Sequence, residues 1–406
     1  MQEKDRVIIR ELALKVAEIA NLPIMKERKE IWKRHHALER VRPMLLVFPE
    51  NSWHELITSL QCEDQFARGI EWNLRTRIYY FEYIHDDTVM ENTYIVDKSI
   101  WNTGWGLESR FTPSTKASGA GKYHPVIESA DDLKKMKFPE VVYDEKSSQQ
   151  RFEQTQELLG DILDVQLKGV RRISFHLMNL YARLRGLDQV MIDMHENPQM
   201  LHNAISFIET GHQRIIDQYV QLNLLSLNND DTWIYPGGNG YNYEIPQSDC
   251  NPAHIQPKNM WASAEAQELT LVSPEMHWEF ALQYEKRLLD RFGLTVYGCC
   301  EDLTRKLDYV FRISSLRQVN ISPFADVEKC AENFPKNYIF SWKPHPSQLV
   351  GDFNTDKIKE NIKHALDVTK GLVFEIVLKD THTCENHPER FTIWTDIVQE
   401  LIKGNL

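Results

Sequence analysis

Leu294-Thr295-Val296-Tyr297-Gly298 runs into Cys299-Cys300-Glu301-Asp302, and the same cadence recurs three times in the last quarter of the chain. Val319-Asn320-Ile321 stops at Ser322-Pro323-Phe324-Ala325-Asp326, and Tyr338-Ile339-Phe340-Ser341-Trp342 stops at Lys343-Pro344-His345-Pro346-Ser347. Leu372-Val373-Phe374-Glu375-Ile376-Val377-Leu378 stops at Lys379-Asp380-Thr381-His382-Thr383-Cys384. A segment of helical period follows each one. An apolar run, a polar cluster and a helix make a βα unit, and repeated units bring the C-terminal strand ends to one face. The fold predicted is α/β: an eight-stranded (β/α)8 TIM barrel with an N-terminal helical and irregular extension. Two of the clusters carry thiol and imidazole, which zinc favours.

Working outward, residues 172–176 and 224–227 read as further strands with polar C-terminal ends. Residues 3–37 read as helix broken at Pro23, 41–48 as a first strand, and 53–62 and 64–73 as helix. The aromatic density of 75–83 suggests a strand, and 101–123 reads as an irregular excursion over the barrel mouth. Helices are expected at 148–167, 187–195 and 198–223. The segment 235–260, rich in Gly, Asn and Pro, is too long for a plain connection and reads as a lid or binding loop. Without an internal repeat or a linker, one structural domain is expected. Residues 1–150 would form the extension and first barrel elements, and 151–406 the remainder.

A net charge of −12 repels a phosphate backbone, which disfavours a nucleic-acid partner. The chain has no run of 18 apolar residues, so no membrane span is expected. The charged start Met1-Gln2-Glu3-Lys4-Asp5-Arg6 lacks the apolar core of a signal peptide, and a cytoplasmic location follows as the expectation. The six cysteines then read as thiols that fill cores, bind metal or act as nucleophiles.

Adjacent strand residues face opposite sides, so only one of Cys299 and Cys300 is expected to point into the barrel. Cys299 reads either as a zinc ligand or as a buried free thiol. His382 reads as an imidazole oriented by Asp380 or as a solvated loop residue. Asn228 and Asp230, after one strand, and His176, after another, could orient a substrate or merely cap loops. Trp233 and Tyr241 on the long loop could wall a planar ligand or cofactor, or pack beneath the loop.

The chain resembles the uroporphyrinogen decarboxylase superfamily, and within it the cobamide-dependent methyltransferase branch, over roughly residues 150 to 403. The resemblance rests on Arg185-Gly186-Leu187-Asp188 with Asn197-Pro198-Gln199-Met200-Leu201-His202, and on Ala266-Gln267-Glu268 with Ser273-Pro274-Glu275-Met276. Tyr297-Gly298-Cys299-Cys300-Glu301 and Lys379 to His382 complete it. It implies zinc-dependent transfer of a methyl group between a small methylated substrate, such as an aryl methyl ether, and a corrinoid carried by a separate partner protein. The implied zinc ligands are Cys299, His382 and Glu268, with Cys300 and Cys384 in reserve. Tyr297 stands where the branch has a histidine. The arginine-rich stretch that marks the true decarboxylases is missing at Asn21-Leu22-Pro23-Ile24-Met25-Lys26. Two alternatives stand beside this reading: a decarboxylase of a carboxylated ring compound, and a non-catalytic binding protein. A homodimer is compatible with all three.

Overall fold

A computed structural model of the chain describes residues 1–115 and 121–404. The strands that position the site are β1 (Met44–Val47), β2 (Thr93–Asp97), β3 (Asp164–Lys168), β4 (Ser174–Phe175) and β5 (Trp261–Ala264), followed by β6 (Leu294–Tyr297), β7 (Leu316–Ile321), β8 (Ile339–Trp342) and β9 (Val373–Leu378). All but β2 and β3 form one sheet in the order β1-β9-β8-β7-β6-β5-β4, and every pairing in it is parallel. β2 and β3 pair in parallel with each other. The four terminal runs thus lie side by side in one sheet, as their composition implied. β9 is buried along its whole length, as expected for a parallel strand covered on both faces.

Register places Asn320, Ser341 and Glu375 on neighbouring strands of one face. Gln318 ties that face together, donating through Nε2 to Glu375 Oε1 at 2.9 Å and to Gly237 O at 3.0 Å. The opposite face packs Leu45, Ile321, Phe340, Ile376 and Leu378 into the main apolar core with the helices. A separate cluster of Ile9, Ala13, Val16, Ile70, Leu74 and Ile78 joins the N-terminal helix Glu3–Ala20 to the helix Gln65–Tyr83.

Several local expectations change. Residues 224–227 form no strand beyond an isolated parallel bridge of Leu225 to Val170, and the helix expected over 53–62 ends at Leu56. Residues 75–83 are helix, because Ala67, Ile70, Leu74 and Ile78 bury one stripe at helical spacing and Asp64 caps it by accepting from Ala67 N at 3.0 Å. The helix expected over 148–167 ends at Leu159, and β3 follows. The excursion at 101–123 includes an exposed antiparallel ribbon, Arg110–Thr112 with Lys122–His124, while 116–120 lie outside the described residues. No helix among the described residues is long and apolar enough to cross a membrane.

Candidate functional site

β6 ends at Tyr297, and the chain then turns through Gly298 at φ 96°, a backbone region closed to most side chains. A Cβ there would lie 2.8 Å from Leu303 Cδ1 and 3.0 Å from Asn320 O. Because strand alternation stops at this turn, both thiols enter one cluster, contrary to the expectation that only one could. Cys299 Sγ and Cys300 Sγ are 3.5 Å apart. Lys379 Nζ, just past β9, donates to Cys299 Sγ at 3.6 Å and to both Asp380 oxygens at 2.8 and 3.0 Å. Tyr235 Oη lies 3.4 Å from the same sulfur. Lys343, past β8, is fully buried beside this group with no hydrogen-bond partner for Nζ.

The electrostatics follow from these contacts. The neighbouring Cys300 thiol, Lys379 and Lys343 outweigh burial and lower the Cys299 pKa to about 6, which favours its thiolate form. Cys300 moves the other way, raised by its contact with Cys299 and by burial. Burial opposes charge on Lys379, but Cys299 and Asp380 prevail and raise its pKa. Burial and the proximity of Lys379 bring Lys343 down to about 8. Beneath the turn, Glu301 accepts from Cys299 N at 2.8 Å and from Ala266 N at 3.2 Å. Burial, with Glu265 and Cys299 nearby, raises Glu301 to about 8.

Next to this cluster, at the end of β4, His176 Nδ1 is paired with the buried Glu265 carboxylate. The other Glu265 oxygen accepts from Gln267 N at 2.9 Å, which fixes its position. His176 meets the Tyr235 ring edge-on at 5.1 Å, and both line a cavity of about 190 Å3 with Trp233, Ser174 and Trp261. His176, Trp233, Tyr235 and Trp261 therefore surround one small space, and the Cys299–Lys379 pair adjoins it through the Tyr235 hydroxyl.

Of the residues singled out from sequence, His176, Trp233 and Cys299 belong to this neighbourhood. Asn228 does not: its amide is consumed by backbone, accepting from Trp261 N at 2.9 Å and donating to Arg171 O at 2.8 Å and Trp261 O at 3.0 Å. Asp230 pairs with Lys168 at 2.7 Å and braces Thr232. Tyr241 is wholly buried and donates to Glu91 at 2.7 Å. The first part of the loop carrying it is packed down, with Gln318 donating to Gly237 O and Trp261 Nε1 to Gly240 O, each at 3.0 Å, whereas most of 243–254 is exposed. At Gly240 an added Cβ would sit 1.6 Å from Asn228 O, so its glycine serves close packing rather than mobility.

The expected zinc set is not assembled either. His382 is exposed and its Nδ1 lies 2.9 Å from Asn51 Nδ2. Glu268 accepts from Asn179 at 2.6 Å and keeps one buried oxygen without a partner. Cys299 faces ammonium groups, and Cys384 donates to Glu55 at 2.9 Å. Among the described residues no group of three or more His, Cys, Asp and Glu could hold a metal ion. Tyr297 explains part of the difference: it points toward the helices, bonded to His277 Nε2 and Glu285 Oε2, each at 2.9 Å.

Tyr235 was legible with Trp233 as a possible wall for a planar ligand, whereas Lys343, Lys379, Glu265 and Glu301 carried no role in the sequence. All four stand in the strand-end clusters quoted above or beside Glu268. Thiols and imidazoles mark a metal site in a sequence, and amines do not.

Two measurements check this centre. Alkylation of Cys299 by iodoacetamide, followed by peptide mass mapping, is expected to show a midpoint near pH 6. Lys379→Met should move it up toward the ordinary thiol value of about 8.5; an unchanged midpoint would remove Lys379 as the cause. For Glu301 the sign is that of an acid whose folded pKa, about 8, lies above its unfolded value. Its stabilising contribution is complete below the unfolded carboxylate range and is lost as pH rises toward 8. Glu301→Gln should therefore flatten the fall in melting temperature between pH 5 and about 8, and an equally steep fall in the variant would contradict it.

No protein-family model and no curated protein matches the chain. Among solved structures it is similar to a methyltransferase from Methanosarcina mazei. The two are 12% identical, with 92% of this chain and 98% of that chain covered at a TM-score of 0.51. At that identity the likeness shows a shared fold.

Proposed function

We propose that the chain is a methyltransferase of the uroporphyrinogen decarboxylase-like, cobamide-dependent type. It would move a methyl group between a small methylated substrate, such as an aryl methyl ether, and a corrinoid carried on a separate protein. The observation that carries this reading is the His176–Glu265 pair facing Tyr235 on one small cavity, with Cys299–Lys379 adjoining it through the Tyr235 hydroxyl. The shared fold with a methyltransferase supports it.

The finer architecture belongs to the same reading. Counting β3 and β4 as one interrupted strand gives eight, with β2 and β3 filling the gap between β1 and β4. At the outer edge of β1, Leu45 N and Val47 N donate to the carboxylates of Asp87 and Asp86, each at 2.9 Å, and beyond β3 Val170 bridges Leu225 in parallel.

The corrinoid, when its partner presents it, supplies the nucleophile that accepts the methyl group. Every other task falls to this chain. As the carbon–heteroatom bond breaks, its electron pair stays on the heteroatom. His176, held through Nδ1 by Glu265, delivers a proton to that atom from the opposite ring nitrogen. Trp233, Tyr235 and Trp261 exclude water and orient the ring of the donor. The Lys379–Cys299 pair fixes the Tyr235 hydroxyl. Zinc takes no step here, because Cys299, Glu268 and His382 do not converge.

The test mixes the purified chain with reduced free cobalamin and, in turn, methyl ethers, methylamines and methyl thioethers, following methylcobalamin by its absorbance. Donor-dependent methylcobalamin is the expected result. Absence with all three donor classes, together with release of carbon dioxide from a carboxylated ring compound, would replace the reading with the decarboxylase.

A further inference from the structure

A second cavity, of about 320 Å3, lies on the other side of Trp233. Its wall runs from Leu46 of β1 and Phe48 just past it, across β2 to Arg171 and Arg172, and closes on Tyr241, with Arg77 reaching in from the helix Gln65–Tyr83. The volume sits at the lower end of what small-molecule sites span.

Two buried donors on this wall have nothing to bond. Arg171 is 8% exposed; it spends one terminal nitrogen on Thr232 Oγ1 at 2.9 Å and the other on Asp97 Oδ1 at 3.1 Å, while its Nε has no partner. Trp233 Nε1 is buried and likewise has none. Unmade hydrogen bonds at buried N–H groups are costly and rare, and a pair on one cavity wall calls for an acceptor. Three guanidinium groups on the wall face two carboxylates, Asp97 and Asp231, one positive charge in excess. A monoanion satisfies both the donors and that excess; a dianionic phosphate would overshoot it. Four aromatic residues stand among the aliphatic and polar ones of the remaining wall: Phe48 stacks on Trp233 with centroids 5.2 Å apart and planes 26° apart, and Tyr80 and Tyr241 also line the cavity. Flat rings beside a guanidinium favour a planar, ring-bearing ligand.

We propose that this cavity binds a small aromatic carboxylate, its carboxylate accepting from Arg171 Nε and Trp233 Nε1 and its ring lying against Phe48 and Trp233. The assignment needs only the donors and the walls, so it goes beyond methyl transfer and stands or falls separately.

Isothermal titration of the full chain with sodium benzoate tests it, with benzamide as the neutral isostere and inorganic phosphate as a competitor. Benzoate should bind about tenfold or more tightly than benzamide, because only the anion makes charge-assisted bonds. Arg171→Gln should remove that preference while leaving benzamide affinity unchanged, and Trp233→Phe should weaken benzoate while keeping a ring in place. Benzamide binding as tightly as benzoate to the wild-type chain would overturn the proposal without recourse to any variant. Phosphate displacing benzoate at equal concentration would overturn the carboxylate class. Methyl transfer to cobalamin from methylamine with no benzoate binding would sink this site alone, and benzoate binding without any methyl transfer would sink only the function proposed above.

Discussion

His176→Ala is expected to lower the methyl-transfer rate by about 10²- to 10⁴-fold with an aryl methyl ether, the range over which a positioned general acid acts. The expectation rests on one pairing: Glu265 is buried, holds His176 Nδ1, and is itself anchored by Gln267 N at 2.9 Å. That arrangement fixes the imidazole plane on the wall of the cavity that Tyr235 and Trp233 also line. Leaving-group dependence separates catalysis from mere packing. A methyl aryl ether bearing a nitro group departs as a stable phenoxide and needs no proton, so His176→Ala should keep nearly the wild-type rate on it. Equal losses on activated and unactivated ethers would show that His176 only shapes the cavity. Glu265→Gln, which keeps a hydrogen-bonding partner but removes its charge, should fall between the two.

How much of this was legible beforehand divides along physical lines. The parallel strands were legible because apolar, β-branched runs bounded by polar clusters have few other homes, and β6 to β9 appear where those runs lie. The helix through 75–83 was not, because its aromatic residues mask the stripe of Leu74 and Ile78 that decides the matter. The facing of Cys299 and Cys300 depended on where β6 stops, a boundary set by the positive φ of Gly298. His176 could be nominated from its place after a strand, but its partner Glu265 lies 89 residues away and only the register of β4 against β5 brings them together. The loop after 235 looked mobile because it is rich in glycine. In the fold those glycines let backbone touch backbone, as Gly240 does against Asn228. Local composition reports what a segment can do; its neighbours decide which of those things it does.

Asn228 is where the functional and structural readings part most sharply, and Asn228→Ala is expected to destabilise the fold by roughly 3–5 kcal/mol. The side chain is fully buried and splices two strand edges that lack direct pairing at this point. Its Oδ1 takes the N–H of Trp261, and its Nδ2 serves the carbonyls of both Trp261 and Arg171. Alanine would leave one donor and two acceptors buried without partners, each costing about 1–3 kcal/mol before the backbone relaxes. Domains commonly hold only about 5–15 kcal/mol in reserve, so the loss should appear as a large drop in the denaturant midpoint. Asn228→Asp should do worse, since it keeps the acceptor for Trp261 N but sets a carboxylate against two carbonyl oxygens. Because Arg171 and Trp261 flank the two cavities, ligand binding should weaken only as far as folding does. If Asn228→Ala unfolds at the wild-type midpoint yet loses turnover, the residue orients substrate after all, and the backbone splice is not what holds this edge of the sheet.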